Sequence, residues 1–159
     1  MYDKNIQTYS IGIGVDYLKN NSFFMSSEIG FQQIGGKLQY SYIENLGEKM
    51  QMEKTASIKY IAVNTLINVK LEKDQWIYYC GIGPALYYNI NDKQFMDYPD
   101  IKSFMPGMKI TAGVKYKFER LRLGVNCNYL PCFSNLSDIL GKATTWGFAF
   151  SIGYELVTP

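Results

Sequence analysis

The sequence contains no histidine at all. This absence excludes Ser-His and Cys-His nucleophile systems, histidine acid–base catalysis and histidine metal sites. The three cysteines, Cys80, Cys127 and Cys132, cannot all pair within one chain and have no CxxC spacing, so a zinc site is not expected. We therefore predict no catalytic residue, no metal site and no cofactor, and we do not expect an enzyme.

The sequence also lacks a strong excess of charge and any long apolar run. Its 16 Lys and Arg residues face 14 Asp and Glu residues, a net charge of +2 without a basic face, so nucleic acid is not an expected partner. No apolar stretch approaches the roughly 18 residues of a transmembrane helix. Residues 1–5 lack the apolar core of a signal peptide. The length of 159 residues indicates one domain, spanning 1–159.

Aromatic rings and glycine are abundant, with 14 Tyr, 9 Phe, 2 Trp and 14 Gly, although the mean hydropathy is only −0.14. These residues follow a period of two, as where Ile11 and Ile13 alternate with Gly12 and Gly14. Such alternation is typical of a β-strand with two unlike faces. Seven windows share it: 7–17, 23–32, 60–71, 76–88, 108–118, 121–129 and 146–156. We therefore predict an all-β fold of seven strands.

The connections between these windows alternate in length. Polar tight turns are predicted at 19–22, 72–75 and 119–120, and long links at 39–56, 89–104 and 132–144. This order predicts an up-and-down antiparallel barrel with turns on one rim and long links on the other. Leu38, Tyr40 and Tyr42 are expected to continue the second strand beyond the membrane, and the alternative is that residues 38–42 form part of an extra hairpin.

The apolar face of the windows is predicted to face lipid. It carries no charged residue, its ends are repeatedly aromatic, and the opposite face is rich in the small residues that suit a narrow barrel interior. The expected interfacial girdle consists of Tyr9, Tyr17, Trp76, Tyr88, Tyr116, Trp146 and Tyr154. The alternative is a soluble lipocalin-like barrel, with the apolar face turned inward around a small apolar ligand.

Bacterial single-chain barrels have an even number of strands, and the sequence supplies seven. The fold class is therefore an up-and-down antiparallel transmembrane β-barrel of about eight strands, seven of them visible in this chain. Residues 1–5 are too few to form another strand. We expect that an N-terminal strand and a signal peptide are absent from this sequence.

Charged residues on the other face would point into the lumen. They are Asp16, Glu28, Lys70, Lys109, Lys115, Lys117, Arg122 and Glu155. Because both signs are present, a structural network of ion pairs is predicted, with a small polar pocket or conduction path as the alternative. An interior of about eight strands is just filled by side chains, so a pore is not expected.

The long links are the remaining candidates for binding. The link 39–56 contains Tyr40, Tyr42, Met50 and Met52, and the link 89–104 adds further aromatics with three aspartates. Exposed aromatics and methionines suit a protein-binding surface, although they also suit packing over the barrel mouth. Expected partners are outer-membrane lipid, lipopolysaccharide and other envelope proteins bound through these links.

Several segments resemble the small outer-membrane β-barrel domain family of Bacteroidota, the PorT-like group. The resemblance covers about residues 6–156 and rests on the segments 22–31, 59–66, 81–86, 113–116 and 150–156. The chain departs from the family at Asn64 and Ala62, where the family usually has a proline and an acidic residue, and it lacks the family's first strand.

The resemblance implies a location in the bacterial outer membrane and a non-enzymatic role, as a structural or interaction protein. A few members of the group are implicated in type IX secretion, which makes a subunit of a larger envelope or secretion complex the expected role. The enzymes among small outer-membrane barrels resemble one another in using a histidine, and this chain has none.

Overall fold

The computed structural model describes residues 4–5, 9–43, 49–90, 102–135 and 142–154, which form one antiparallel sheet. The strands are β1 (Lys4–Asn5), β2 (Ser10–Tyr17), β3 (Phe23–Ile43), β4 (Lys49–Lys73), β5 (Trp76–Asn89), β6 (Phe104–Phe118), β7 (Leu121–Asn135) and β8 (Lys142–Tyr154). No helix of sufficient length and apolarity to cross a membrane occurs in this part of the chain.

The strands follow one another across the sheet in chain order. From β3 to β8, each strand pairs with the next. The short β1 and the strand β2 both pair with β3, at Gly36–Lys37 and Met25–Gln32 respectively, so they lie end to end along one edge. The sheet is therefore seven strands wide and curls into a half-barrel, which confirms the predicted up-and-down order of seven strands.

Three tight connections lie on one rim of the half-barrel, which we call the short-turn rim. Each contains a residue with positive φ: Leu18 at 48°, Asp74 at 56° and Glu119 at 51°. A left-handed residue lets the chain reverse within a few positions, because the twist of such a turn matches that of the flanking strands. The predicted turns at 19–22, 72–75 and 119–120 are confirmed, the second being reduced to residues 74–75.

The opposite rim, the long-link rim, differs from the prediction. The link predicted over 39–56 is wrong for most of its length, because β3 continues to Ile43, β4 begins at Lys49, and the two pair throughout. β7 and β8 likewise extend into the predicted link 132–144. The length of β3 confirms the continuation predicted from Leu38, Tyr40 and Tyr42. β4 begins before the apolar alternation of its window, because backbone pairing in a two-stranded ribbon does not require a buried apolar face. Residues 91–101, most of the link 89–104, lie outside the described part.

The two faces of the sheet differ in chemistry as the alternation predicted. Large apolar residues lie exposed on the convex outer face, as Ile13, Val69, Ile82 and Phe150 do. The concave face holds the buried residues. At the long-link end these are Ile58, Tyr60, Tyr87, Met105 and Cys132, and nearer the short-turn rim they are Phe24, Leu66 and Ile77.

Glycine on the concave face allows the strands to curl closely. A Cβ atom at Gly83 would lie 1.9 Å from the Thr65 carbonyl oxygen, and one at Gly113 would lie 2.7 Å from the Val125 carbonyl oxygen. Neither backbone carbonyl can move away without breaking the sheet, so these positions require the absence of a side chain.

Replacing Gly83 by alanine should therefore disturb the pairing of β4 with β5. We expect Gly83→Ala to lower the free energy of unfolding by about 1–3 kcal/mol, the range of overpacked sites. Gly147→Ala is the matched control, since nothing lies within 4 Å of its added Cβ. Urea titrations of both variants under the same conditions test this expectation, and equal stabilities would contradict it.

Candidate functional site

The concave face of the half-barrel forms an open trough with a volume of about 790 Å³. Its lining is polar or small near the edge strands, with Gly12 and Gly14 on β2 and Ala149 and Ser151 on β8. Charged residues from the interior strands also reach the trough, and this meeting of polar groups in a concave surface makes it the candidate site.

One ion pair crosses the trough from β6 to β3. Lys109 Nζ donates to Glu28 Oε2 at 2.5 Å. Two strands, β4 and β5, separate these residues in the sheet, so the bond spans the concave face instead of joining neighbours. The Lys109 side chain is only 7% exposed, whereas that of Glu28 is 41% exposed. The pair therefore fixes the curvature, with its carboxylate still open to solvent.

A second ion pair crosses from β6 to the edge strand β2. Lys115 Nζ donates to Asp16 Oδ2 at 2.7 Å. The same ammonium lies 4.9 Å from the ring centroid of Phe24 and 5.0 Å from that of Tyr79. Cation–π contacts at this distance hold a cation that has left bulk water. This arrangement closes the end of the trough near the short-turn rim and ties β2 to the opposite wall.

A third cluster centres on Glu72, beside the turn at 74–75. Glu72 Oε1 accepts from Lys70 Nζ at 2.6 Å, and Oε2 accepts from Lys117 Nζ at 2.5 Å. Hydrogen bonding to Lys117, followed by that to Lys70, lowers the pKa of the Glu72 carboxyl from 4.5 to about 2. Glu72 is the residue that the sequence reasoning missed, because it was assigned to the polar turn 72–75. The period of two places it on the same face as Lys70.

Side-chain amides fill the space between the ion pairs. Asn68 Nδ2 donates to Ser26 Oγ at 2.9 Å. Asn126 Nδ2 donates to Asn128 Oδ1 at 3.1 Å and to Thr111 Oγ1 at 3.3 Å. A buried polar layer with hydrogen bonds favours one sheet register over its alternatives, because a slipped strand would leave these groups unpaired.

The predicted lumen residues are thus distributed over three clusters. The structure brings Asp16 to Lys115, Glu28 to Lys109, and both Lys70 and Lys117 to Glu72. Arg122 lies opposite Lys117 in the β6–β7 ladder and lines the trough. Glu155 lies outside the described residues.

The predicted girdle residues lie on or near the outer face. Tyr9, Trp76, Tyr88, Trp146 and Tyr154 are exposed there. Tyr116 and Tyr17 are half-buried because each contacts a neighbour. The Tyr116 ring packs against Trp76 with centroids 4.8 Å apart, and its hydroxyl donates to Gln75 Oε1. Tyr17 OH lies 3.0 Å from Ser27 Oγ.

The charged groups of the trough form ion pairs that connect strands across the concave face. Among the described residues, no three His, Cys, Asp or Glu side chains come together in a way that could hold a metal ion. Cys80, Cys127 and Cys132 are free thiols, the first two on the outer face.

Comparison of the chain with protein-family models, with curated proteins and with solved structures finds no match in any of the three.

The contribution of the Glu28–Lys109 pair can be measured by a double-mutant cycle. Lys109→Met leaves a carboxylate without its cation, and Glu28→Gln removes the charge on the other side. Because Glu28 is 41% exposed and water screens part of the interaction, we expect a coupling free energy of about 1 kcal/mol. Lys73→Met, at an exposed position, is the control and should change stability by less than about 0.5 kcal/mol. Additive single effects would show that the pair does not brace the sheet.

The Glu72 cluster predicts a specific dependence of stability on pH. A carboxyl group whose folded-state pKa is lowered stabilises the protein above its unfolded pKa, and this stabilisation is lost as the pH falls. The Glu72 contribution should therefore be complete above about pH 4.5 and disappear towards pH 2. Glu72→Gln should be less stable than the parent chain at pH 7 and equal to it near pH 2. Urea titrations across this range test the prediction, with Asp74→Asn as the control, and a difference that does not depend on pH would contradict it.

Proposed function

We propose that this chain is a β-barrel protein of the bacterial outer membrane, and that it acts without catalysis as a structural or interaction protein. The observation that carries the proposal is the outer face. Residues such as Ile11, Ile67, Phe148 and Phe150 are exposed there, on strand after strand. An apolar surface of this extent is incompatible with a stable monomer in water, whereas it suits the hydrocarbon of a bilayer.

The outer face also satisfies its own polar groups, as hydrocarbon demands. The hydroxyl groups of Tyr17, Ser27 and Thr65 form a chain, with Ser27 Oγ 3.0 Å from both Tyr17 OH and Thr65 Oγ1. A hydroxyl that faced lipid without a partner would cost several kcal/mol. The chain of three supports a lipid-facing surface, because each of these hydroxyls already has a partner within the sheet.

The height of the apolar band supports the same proposal. On β8 the exposed apolar residues are bounded by Trp146 and Tyr154 at the two ends. On β2 they are bounded by Tyr9 and Tyr17. Each stretch has about nine residues, and about 9–11 tilted residues cross a bilayer. Aromatic rings at both ends suit the two interfaces between membrane and water.

The interior supports a structural role over a catalytic or conducting one. In the ion pairs Glu28–Lys109 and Asp16–Lys115, charged groups of the trough neutralise one another. Tyr60, Tyr87 and Met105 are fully buried on the concave side at the long-link end. Membership of the PorT-like group, with outer-membrane lipid and lipopolysaccharide as surroundings, is part of the proposal.

The ribbon formed by β3 and β4 is the part of the chain that we propose contacts other envelope proteins. The two strands pair from Phe23–Val69 to Ile43–Lys49, well past the last pair of β4 with β5 at Tyr60–Asn89. Tyr40 pairs with Met52 and Tyr42 with Met50. The paired positions thus join tyrosine to methionine, a composition that suits protein binding.

A soluble carrier of an apolar ligand would need the opposite arrangement of faces. Its apolar residues would be gathered on the concave side around an apolar cavity, whereas here the trough is lined by charged and small residues such as Asp16, Glu28, Lys109 and Gly12 beside its buried apolar side chains, and large apolar side chains are exposed on the outer face. This contrast is the reason that the membrane proposal is preferred over the carrier.

A lysine on the outer face tests the membrane proposal. Phe150, 85% exposed and midway between Trp146 and Tyr154, is the position expected near the bilayer centre. Phe150→Lys should reduce partitioning of the refolded chain into phosphatidylcholine liposomes, since a lipid-facing lysine there costs about 2–4 kcal/mol. Flotation of the liposomes in a sucrose gradient gives the measurement.

Ser151→Lys is the matched control, one residue along on the concave face, and it should float like the parent chain. Reduced flotation of Ser151→Lys beside parental flotation of Phe150→Lys would show that the faces are inverted, and equal flotation of the two would show that the outer face does not contact lipid. A parent chain that stays monomeric in buffer without detergent would contradict the membrane proposal altogether.

A further inference from the structure

We infer that the middle of the trough is a binding site for a small neutral saccharide. The inference goes beyond the proposed function, which assigns no ligand, and it does not depend on the membrane, because the site lies on the concave face. It is carried by the uncharged polar side chains on the floor of the trough, by the ion pairs on either side of them and by two amide oxygens without hydrogen-bond partners.

The floor of the trough between the two crossing ion pairs consists of uncharged amide and hydroxyl side chains. We call this set the amide floor: Ser26, Asn68, Tyr79, Thr111, Asn126 and Asn128. All of them lie on β3 to β7, so the amide floor includes no residue of the edge strand β2 or of β8. Asn68 Nδ2 donates to Ser26 Oγ, and Asn126 Nδ2 donates to Thr111 Oγ1. These bonds hold the amides in place before a ligand binds, which lowers the entropy cost of binding.

Two glycines make room for the amide floor. A Cβ atom added at Gly81 would lie 2.0 Å from Asn68 Oδ1, so the Asn68 carboxamide lies over the backbone of β5. A Cβ atom added at Gly113 would lie 2.9 Å from Tyr79 OH, so this hydroxyl lies over the backbone of β6. Polar groups of neighbouring strands therefore converge on the middle of the trough, as the polar groups of a ligand site do.

The amide floor contains acceptors that its own donors do not use. Asn68 Oδ1 and Asn126 Oδ1 are buried and have no hydrogen-bond partner among the described residues. The Asn68 side chain is fully buried, and a buried carbonyl oxygen without a donor is destabilising. A ligand that satisfies these two oxygens must donate hydrogen bonds. This requirement excludes a ligand that only accepts them, such as a carboxylate.

The ion pairs at the two ends of the amide floor restrict the charge of the ligand. Lys109 is bonded to Glu28 at one end, and Lys115 is bonded to Asp16 at the other. Because both carboxylates already have an ammonium partner, a cationic ligand would face two lysines without gaining an unpaired carboxylate. An anionic ligand would have to displace a carboxylate from its lysine. A neutral ligand avoids both costs.

Among neutral ligands, a sugar matches the chemistry of the amide floor. Each sugar hydroxyl both donates and accepts, as a side-chain amide does, so neighbouring hydroxyls can donate to Asn68 Oδ1 and Asn126 Oδ1 and accept from other groups of the floor. An apolar ligand would leave these oxygens unpaired.

The size of the site limits the saccharide to one or two rings. Lys109 and Lys115 are six positions apart on β6, which corresponds to about 20 Å along the strand. The trough volume of about 790 Å³ lies within the range of small-molecule sites.

Isothermal titration calorimetry of the whole 159-residue chain tests the inference. The chain is refolded in a zwitterionic detergent without a sugar headgroup, since a maltoside detergent would compete. The neutral probes are glucose, galactose, mannose, N-acetylglucosamine and maltose. At least one of them should bind with a Kd below about 10 mM. The uronic acid and the amino sugar of the same ring should bind about tenfold more weakly, because each carries a charge that the ion pairs disfavour.

Two variants locate the binding within the trough. Asn126→Leu removes one of the two unpaired oxygens and should weaken binding about three- to tenfold. Ala149→Leu adds bulk opposite Asn126 in the β7–β8 ladder without changing a polar group, and it should weaken binding about tenfold by steric exclusion. Ala112→Leu is the matched control, since it makes the same substitution at an exposed position of the outer face, and it should bind like the parent chain. If Asn126→Leu does not fold, the two alanine variants still decide the outcome.

Three results would overturn the inference. Lack of saturable binding by every neutral sugar would show that the amide floor binds no saccharide. Tighter binding of the uronic acid or the amino sugar would show that the trough selects a charged ligand. Equal binding by Ala149→Leu and Ala112→Leu would show that the sugar binds outside the trough. None of these results bears on the membrane proposal, which flotation with liposomes tests separately.

Discussion

Crowding on the concave face is the constraint on which the rest of the fold depends. Strands can curl this tightly only where small residues let backbones approach, as at Gly30, whose added Cβ would lie 2.7 Å from the Ile11 carbonyl oxygen. Small side chains line the inner face, and large Ile, Phe, Tyr and Trp side chains lie on the outer face. The curvature, the exposed apolar surface and the mild mean hydropathy of −0.14 are therefore consequences of one division of side-chain size between two faces.

The crossing ion pairs use the room that this small-residue lining leaves. Lys109 and Lys115 both lie on β6. Lys109 forms an ion pair with Glu28 on β3, and Lys115 forms one with Asp16 on β2, so β6 contacts the opposite side of the half-barrel at two levels along its length. Long lysine side chains suit this task because their aliphatic stems pack along the trough while the charge reaches a distant carboxylate. Ladder hydrogen bonds join only neighbours in the sheet. The ion pairs relate strands two or more positions apart, as do the ring contact of Phe24 with Tyr79 and the contact of Tyr60 with Met105.

The sequence alone predicts the strands, their order and their two faces, because a period of two is a local signal that each strand carries in full. It also predicts which residues face inward, but not their pairing. Lys109 is 81 positions from Glu28 in the chain, and only the register of the intervening strands brings them together. Glu72 was missed for the converse reason, since a polar turn and a polar strand end look alike in sequence. The extension of β3 was predicted from Leu38, Tyr40 and Tyr42, whereas the extension of β4 before Ile58 was missed because residues 49–57 are mostly polar and were assigned to a link.

The residues of the β3–β4 ribbon indicate where the apolar band ends. Up to Phe31, the odd positions of β3 that face outward are apolar, as at Ile29, while even positions such as Glu28 and Gln32 face the trough. From Lys37 onward the pattern inverts, since the odd positions Lys37, Gln39 and Ser41 are polar and the even positions Leu38, Tyr40 and Tyr42 are not. The parity of the apolar positions therefore changes between Phe31 and Leu38 in the sequence itself, so the regular alternation that sorts large apolar residues to the outer face ends before Lys37.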